Sequence, residues 1–227
     1  DVHKYGYAPK GASVVLYRDR EAYHHQFFAC VSWPGYPVVN PTILGSRSVT
    51  ALAASWAVIS HLGTEGYRDA VKRIHNATVS LTDVINQIDG MRIVGNPFGP
   101  LLALGADDSC AQPVDPFRLV DELKNHGFLA QAQPGHGILP RSAHLTLTPV
   151  SADLMDELST ALKTAADAVR GLGPAQPRME LLHSVLESGL PQEQAEIMAT
   201  LEGLPVQVAC PALIDLLGSI ANPKPPQ

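Results

Sequence analysis

From residue 90 onward the chain alternates short apolar runs with segments of helical period, and this alternation restricts it to a small set of packed-layer folds. Met91 to Val94 and Leu101 to Leu104 read as strands joined by the turn Gly95-Asn96-Pro97-Phe98-Gly99-Pro100. Asp115-Pro116 supplies an N-cap and a first-turn proline for a helix through Asn125, which Gly127 closes. Phe128 to Gln131 and His144 to Leu147 are the next strand candidates. Ser151 is placed to cap a final amphipathic helix ending near Arg170. The sum is a small α+β domain.

Ahead of it, Thr50 to His61 is rich in Ala, Leu and Trp and predicts a helix buried on most sides, ended by Gly63. From Glu65 to Gln87 the apolar positions Val71, Ile74, Val79, Leu81, Val84 and Ile85 keep helical spacing, and Gly90 marks the stop. That segment reads as a long linking helix. Beyond Gly171 a tail rich in Pro and Gly surrounds two helical stretches, near Met179 to Glu187 and Gln192 to Leu201. It closes on Asn222-Pro223-Lys224-Pro225-Pro226, a composition expected to be disordered. The expected divisions are residues 1–64, 65–89, 90–172 and 173–227, with no internal repeat.

With 227 residues, 45% of them hydrophobic and 17% charged, the chain has the material for a sizeable core. A formal net charge of −6 without any run of Lys or Arg leaves no footprint for nucleic acid or anionic lipid, so small molecules or a second copy of the chain are the expected partners. Cys30, Cys110 and Cys210 are odd in number and widely spaced, which suits a reducing compartment, expected to be the cytoplasm, and neither a disulfide framework nor a zinc site. No apolar stretch approaches the roughly 20 residues that span a bilayer. Asn76-Ala77-Thr78 falls within the linking helix, and as a glycosylation sequon it reads as chance.

The densest run of reactive residues comes first: Asp1-Val2-His3-Lys4-Tyr5-Gly6-Tyr7-Ala8-Pro9-Lys10-Gly11-Ala12-Ser13. It precedes the apolar run Ser13 to Tyr17, which reads as a strand. A strand so apolar belongs in a buried sheet, yet few strands stand before residue 90 to pair with it, so an N-terminal portion outside these residues is expected. Two lysines, a histidine and two tyrosines then gather at a sheet edge, where α/β proteins bind ligands. A lysine whose amine is freed near neutrality is suited to Schiff-base chemistry. On composition alone, a solvated loop whose charges do nothing is the favoured reading.

This run resembles the cofactor-lysine segment of the group II decarboxylase and lyase branch of fold-type I pyridoxal-phosphate (PLP) enzymes, and within it the sphingosine-1-phosphate lyases. The pattern Asp-x-His-Lys-Tyr-Gly-x-Ala-Pro-Lys-Gly-x-Ser is matched by Asp1 through Ser13. The likeness continues through Val15 to Arg18, Tyr23, Gln26 to Phe28, Trp33, Pro41-Thr42, Gly45-Ser46-Arg47 and the helix carrying Trp56, His61 to Gly63 and Glu65 to Tyr67. Ser48-Val49 depart from the Pro-Gly usual after Gly-Ser-Arg.

The resemblance implies an α/β fold, the C-terminal part of an aspartate aminotransferase-like PLP-dependent transferase: the end of the large domain, then a small α+β domain. It implies that Lys4 holds PLP as a Schiff base and carries protons, that His3 lies beside the cofactor, and that Lys10 and Tyr7 face a phosphorylated substrate. Gly45 and Ser46 would reach the cofactor phosphate of a neighbouring subunit, making the active form a homodimer. The family's ring-nitrogen Asp lies upstream of the cofactor lysine, so these residues alone are expected to be inactive. The activity implied is carbon–carbon cleavage of a phosphorylated sphingoid base to a fatty aldehyde and phosphoethanolamine. Two rivals remain: an amino-acid decarboxylase of the glutamate or tyrosine type, and a non-catalytic fragment serving as a dimerisation module for a separately encoded N-terminal half.

Other candidates carry less. His24-His25, taken as neighbours on an extended segment, point to opposite faces without an acidic ligand nearby. His136, between two glycines, reads as an ordinary turn rather than a lid. Arg141 and His144, ahead of and within a strand of the small domain, are candidates to face substrate, with a surface role the favoured reading.

Overall fold

The computed structural model describes residues 1–177 and 194–204, and the chain divides into two compact units between Asp69 and Ala70. The second apolar run of the tail, Gln192 to Leu201, falls partly on a described helix; Met179 to Glu187, Cys210 and the Asn222 to Pro226 end lie outside the described residues.

In the first unit a turn over residues 2–6 leads into an extended segment that is not a strand. Val14, Val15 and Leu16 are 57%, 67% and 88% exposed. The strand expected at Ser13 to Tyr17 is not formed within these residues: β propensity makes a strand only where a neighbour supplies the ladder, and among the described residues none pairs with it. Helix α1, Arg20–His24, is capped by Asp19, whose carboxylate accepts from the Ala22 N–H at 2.8 Å. His24 thus ends a helix rather than sitting on an extended segment, and accepts at 3.4 Å from Arg20 Nε–H. Two short strands, β1 (Phe28–Cys30) and β2 (Val38–Asn40), form an antiparallel pair. Between them the Trp33 indole N–H donates to the Tyr36 carbonyl at 2.5 Å and its ring lies across Gly35, where a Cβ would come within 2.4 Å of it.

Helix α2 runs over Thr50–Ile85 with Gly63 at φ +56 inside it, so two helical segments meet at a kink where the sequence places a helix end. Left-handed φ is open to glycine at no steric cost.

The second unit holds the core. Its sheet has the order β3-β4-β6-β5, every pair antiparallel, from β3 (Met91–Ile93), β4 (Leu101–Ala106), β5 (Gln131–Gln133) and β6 (Ser142–Thr146). Leu102 and Leu104 on β4, with Ala143 and Leu145 on β6, point to one face. Ile74, Ala77, Leu81 and Ile85 of α2, Leu119, Val120 and Leu123 of α3 (Pro116–Asn125), and Leu158, Leu162, Ala165 and Val169 of α5 (Met155–Val169) join them in one buried cluster. The other sheet face carries Arg92, Ala103, Gln131, Gln133, His144 and Thr146, the polar-out side of an antiparallel sheet.

Local chemistry sets the boundaries. Asp115 caps α3 as its sequence predicts. At the other end the Phe128 N–H donates to the Leu123 carbonyl and the Gly127 N–H to that of Lys124, with Gly127 at φ +82, the hydrogen-bond pattern of a Schellman end. Phe128 is therefore spent closing the helix, and β5 starts at Gln131 rather than at Phe128. The final helix is two: α4 (Pro149–Asp153) is capped by Thr148, with Ser151 three residues on completing a reciprocal capping box, and α5 follows it. Ser151 is thus the second half of a cap. Helix α6 (Ala195–Gly203) packs on α3 and β5, with Ala195 and Ala199 against Phe117.

Candidate active site

The candidate residues of the opening motif are held by one turn. The Lys4 N–H donates to the Asp1 carbonyl, the Tyr7 N–H to the Lys4 carbonyl at 3.0 Å, and the Ala8 N–H to the Val2 carbonyl. Gly6 packs so closely that a Cβ there would lie 2.4 Å from the Val2 carbonyl oxygen, which excludes every other residue type from this geometry.

Lys4 projects outward with its side chain 66% exposed, and its ammonium sits 2.7 Å from the Asp1 carboxylate. The other Asp1 oxygen accepts from the Ser13 hydroxyl at 2.7 Å. A surface ion pair of this kind is worth about 0–1 kcal/mol, so Asp1 holds the lysine only weakly. His3 Nδ1 lies 3.2 Å from the Ala12 carbonyl, which makes it the protonated ring nitrogen, and Nε2 stays 3.9 Å from the Asp1 carboxylate. Lys10 is exposed and, among the described residues, has no ion pair. An accessible lysine, an imidazole and an unpaired cation within eight residues suit a ligand carrying an aldehyde and a phosphate, so the residues present fit PLP chemistry.

Tyr7 stands in the left-handed region at φ +57, a conformation that costs an L-residue about 1–2 kcal/mol. Its ring stacks on that of Tyr67 with centroids 6.3 Å apart and 14° between planes, and the Tyr67 hydroxyl donates to the Gly6 carbonyl at 2.8 Å. Stacking contributes about 0.5–1.5 kcal/mol and the hydrogen bond about as much, which offsets the strain. Burial, then the nearby phenols of Tyr5 and Tyr67, push the Tyr7 hydroxyl up, so it remains a neutral donor. Gly45 and Ser46 lie on an exposed loop after β2, and among the described residues no hydrogen bond or ion pair joins them to the turn. Tyr67 is the residue that reading along the chain missed as a partner of the turn: it is 61 positions from Gly6, and no local periodicity reports such a contact.

The lesser candidates settle into structural work. His136 and Leu139 exchange both backbone hydrogen bonds about Gly137 at φ +59, a tight turn as expected. Arg141 is committed within the second unit: its guanidinium meets Glu202 at 2.5 Å and Asp115 at 3.7 Å, donates to the Ala175 carbonyl and lies 4.6 Å over the Phe117 ring. A pocket of about 570 Å³ borders Arg141, Asp115, Gln112, Asp108 and Pro174, but its buried charges are already paired. His144 Nε2 meets the Thr146 hydroxyl at 3.0 Å on the open sheet face. No cluster of His, Cys, Asp and Glu able to hold a metal occurs among the described residues, and no described helix is long and apolar enough to cross a membrane.

No family model matches the chain. The chain is 34% identical over 170 residues to a sphingosine-1-phosphate lyase of Arabidopsis thaliana, covering 75% of this chain and 30% of that protein. Among solved structures, the sphingosine-1-phosphate lyase of Burkholderia pseudomallei superposes with a TM-score of 0.65 at 27% identity, covering 76% of this chain and 37% of that one. Glutamate decarboxylase of Lactobacillus brevis superposes with a TM-score of 0.59 at 20% identity over 74% of this chain and 39% of that one, a likeness of fold. The chain thus spans about three tenths of the length of the curated relative it matches.

Proposed function

We infer that this chain is the C-terminal portion of a sphingosine-1-phosphate lyase-like, fold-type I enzyme, and that the intact protein is a PLP-dependent carbon–carbon lyase acting on a phosphorylated long-chain amino alcohol; the similarity to sphingosine-1-phosphate lyases supports this reading. The observation that carries the reading is the turn itself, which presents the Lys4 amine outward with the unpaired Lys10 six residues on. When bound, PLP supplies an electron sink for the pair released as the substrate's Cα–Cβ bond breaks.

The chain's own residues then have separate tasks. Lys4 would hold the cofactor, and its amine would move a proton at the reacting carbon. His3, with Nδ1 engaged by the Ala12 carbonyl, would lie beside the cofactor. Lys10 serves as a point charge for the substrate phosphate, and the Tyr7 hydroxyl as a neutral donor beside it. Gly45 and Ser46 serve the cofactor phosphate of a second copy in a homodimer. The exposed apolar residues of this unit, Leu16, Tyr36, Ile43 and Trp56 at 88%, 76%, 100% and 72%, are open to a second copy and equally to the remainder of the intact protein. In this reading residues 1–64 end the cofactor-binding domain, 65–89 link it to the small domain at 90–172, and residues 173–227 follow, in a cytoplasmic setting suited to the unpaired Cys30 and Cys110.

The test is cleavage assayed on a sphingoid base with and without its phosphate, by the intact protein and by Lys10→Ala. The reading expects release of long-chain aldehyde from the phosphorylated base alone, and a KM about tenfold or more higher in Lys10→Ala, as loss of a charge-assisted contact implies. Release of carbon dioxide from an amino acid instead would assign the chain to the decarboxylases.

A further inference from the structure

We propose that Tyr67 is a positioning residue for the cofactor lysine: by clamping the Gly6–Tyr7 peptide it fixes the turn that aims the Lys4 amine. This rests on the reading of Lys4 given above.

The argument is geometric. The peptide unit between Gly6 and Tyr7 is bonded on both sides. Its carbonyl accepts from the Tyr67 hydroxyl at 2.8 Å, and its N–H donates to the carbonyl of Lys4 itself at 3.0 Å. Rotation of this one peptide therefore breaks the bond that closes the turn on Lys4. Two features make rotation the natural relaxation if the clamp is lost. Tyr7 is held at φ +57, where a non-glycine residue is strained, and Gly6 has no side chain to resist a change of backbone conformation. The stacked Tyr7 and Tyr67 rings hold the same junction from the other side. Tyr67 stands four residues beyond the Gly63 kink, on the segment of α2 that begins there, so the helix whose entry Gly63 sets is also the one that supports the lysine. Tyr67 touches neither Lys4 nor Lys10 in the contacts of the turn, and its influence passes through backbone.

The experiment compares the full chain with Tyr67→Phe, which keeps the ring and removes the hydroxyl. Each is incubated with PLP, reduced with borohydride and mapped for label at Lys4 and Lys10, and amide exchange at Tyr7 is followed without cofactor. The expectation for Tyr67→Phe is a ratio of Lys4 to Lys10 label lower by about fivefold and a Tyr7 amide that exchanges faster by a similar factor, the loss of one hydrogen bond, at unchanged helix content. If the unsubstituted chain labels at Lys4 and Tyr67→Phe changes neither the ratio nor the exchange, the clamp is refuted while the functional reading stands. If the unsubstituted chain does not label at Lys4, the functional reading falls and this inference with it.

Discussion

Replacing Asp115 with Ala tests the account of the second unit, because one carboxylate there serves three groups. Asp115 Oδ1 accepts from the Phe117 N–H at 3.3 Å, capping α3, and lies 3.7 Å from the Arg141 guanidinium. Oδ2 accepts from the Ala175 N–H at 2.5 Å, anchoring the segment after α5. The side chain is 3% exposed, so water does not replace what is removed. Loss of an N-cap costs about 0.5–2 kcal/mol, and a buried backbone N–H left without an acceptor about 1–3 kcal/mol. Arg141 keeps Glu202 and adds little. The expected loss is about 2–5 kcal/mol, which at an m-value of about 2 kcal/mol/M lowers the urea midpoint by roughly 1–2.5 M. Circular dichroism through a urea series reads this directly. Asp115→Asn keeps a capping oxygen but serves Ala175 and Arg141 poorly, and is expected to lie between the two. A loss under about 0.5 kcal/mol for Asp115→Ala would show that the network contributes no net stability, and the reasoning would be wrong.

Two further outcomes follow from backbone geometry and from charge. Gly90 lies at φ +83 with its carbonyl accepting from both the Asp107 and Val114 N–H groups, and a Cβ there would come within 2.6 Å of the Gln112 carbonyl oxygen. Gly90→Ala should therefore destabilise by more than about 1 kcal/mol, seen as a lower melting temperature, whereas Gly127→Ala, with open space about its Cβ, pays for the positive φ alone and should fall less. The backbone N–H of Ala22, then Arg18, hold the Asp19 carboxyl below its usual value. A depressed carboxylate contributes stability above its unfolded pKa and loses it as pH falls through the folded one, so α1 should fray below about pH 4. Amide chemical shifts of Ala22 across a pH titration check this, and Asp19→Asn, whose cap does not titrate, should remove the pH dependence.

What was legible in the sequence is what short-range chemistry decides. Asp115-Pro116 and Gly127 bracket α3 because a cap, a first-turn proline and a left-handed glycine each act within one helical turn. Gly63 and Gly90 mark breaks for the same reason. The apolar run at Ser13 to Tyr17 does not form a strand within these residues, because strand propensity describes half of a pair and the ladder that makes a strand is set by residues elsewhere. The pair β1 and β2 went unread, although Trp33-Pro34-Gly35-Tyr36-Pro37 between them is a turn signal, since strands of three residues leave no alternation to count. At the candidate site, the resemblance singled out Lys4, His3 and Lys10 as candidates but said nothing of what holds them. The contact from Tyr67 to Gly6 depends on how a helix returns to the turn, a tertiary fact that no window along the chain contains. Arg141 shows the converse: a basic residue at a strand start reads as available, yet the acids that claim it, Asp115 and Glu202, stand 26 residues before and 61 after it.

The central claim is that Lys4 is the residue to which PLP becomes attached. The direct test is an absorbance titration of the chain with PLP beside the same titration of Lys4→Ala. The account predicts a saturable visible band in the unsubstituted chain that borohydride abolishes with label at Lys4, and no such band in Lys4→Ala. An equal band in both proteins, or label spread over the surface lysines, would contradict it.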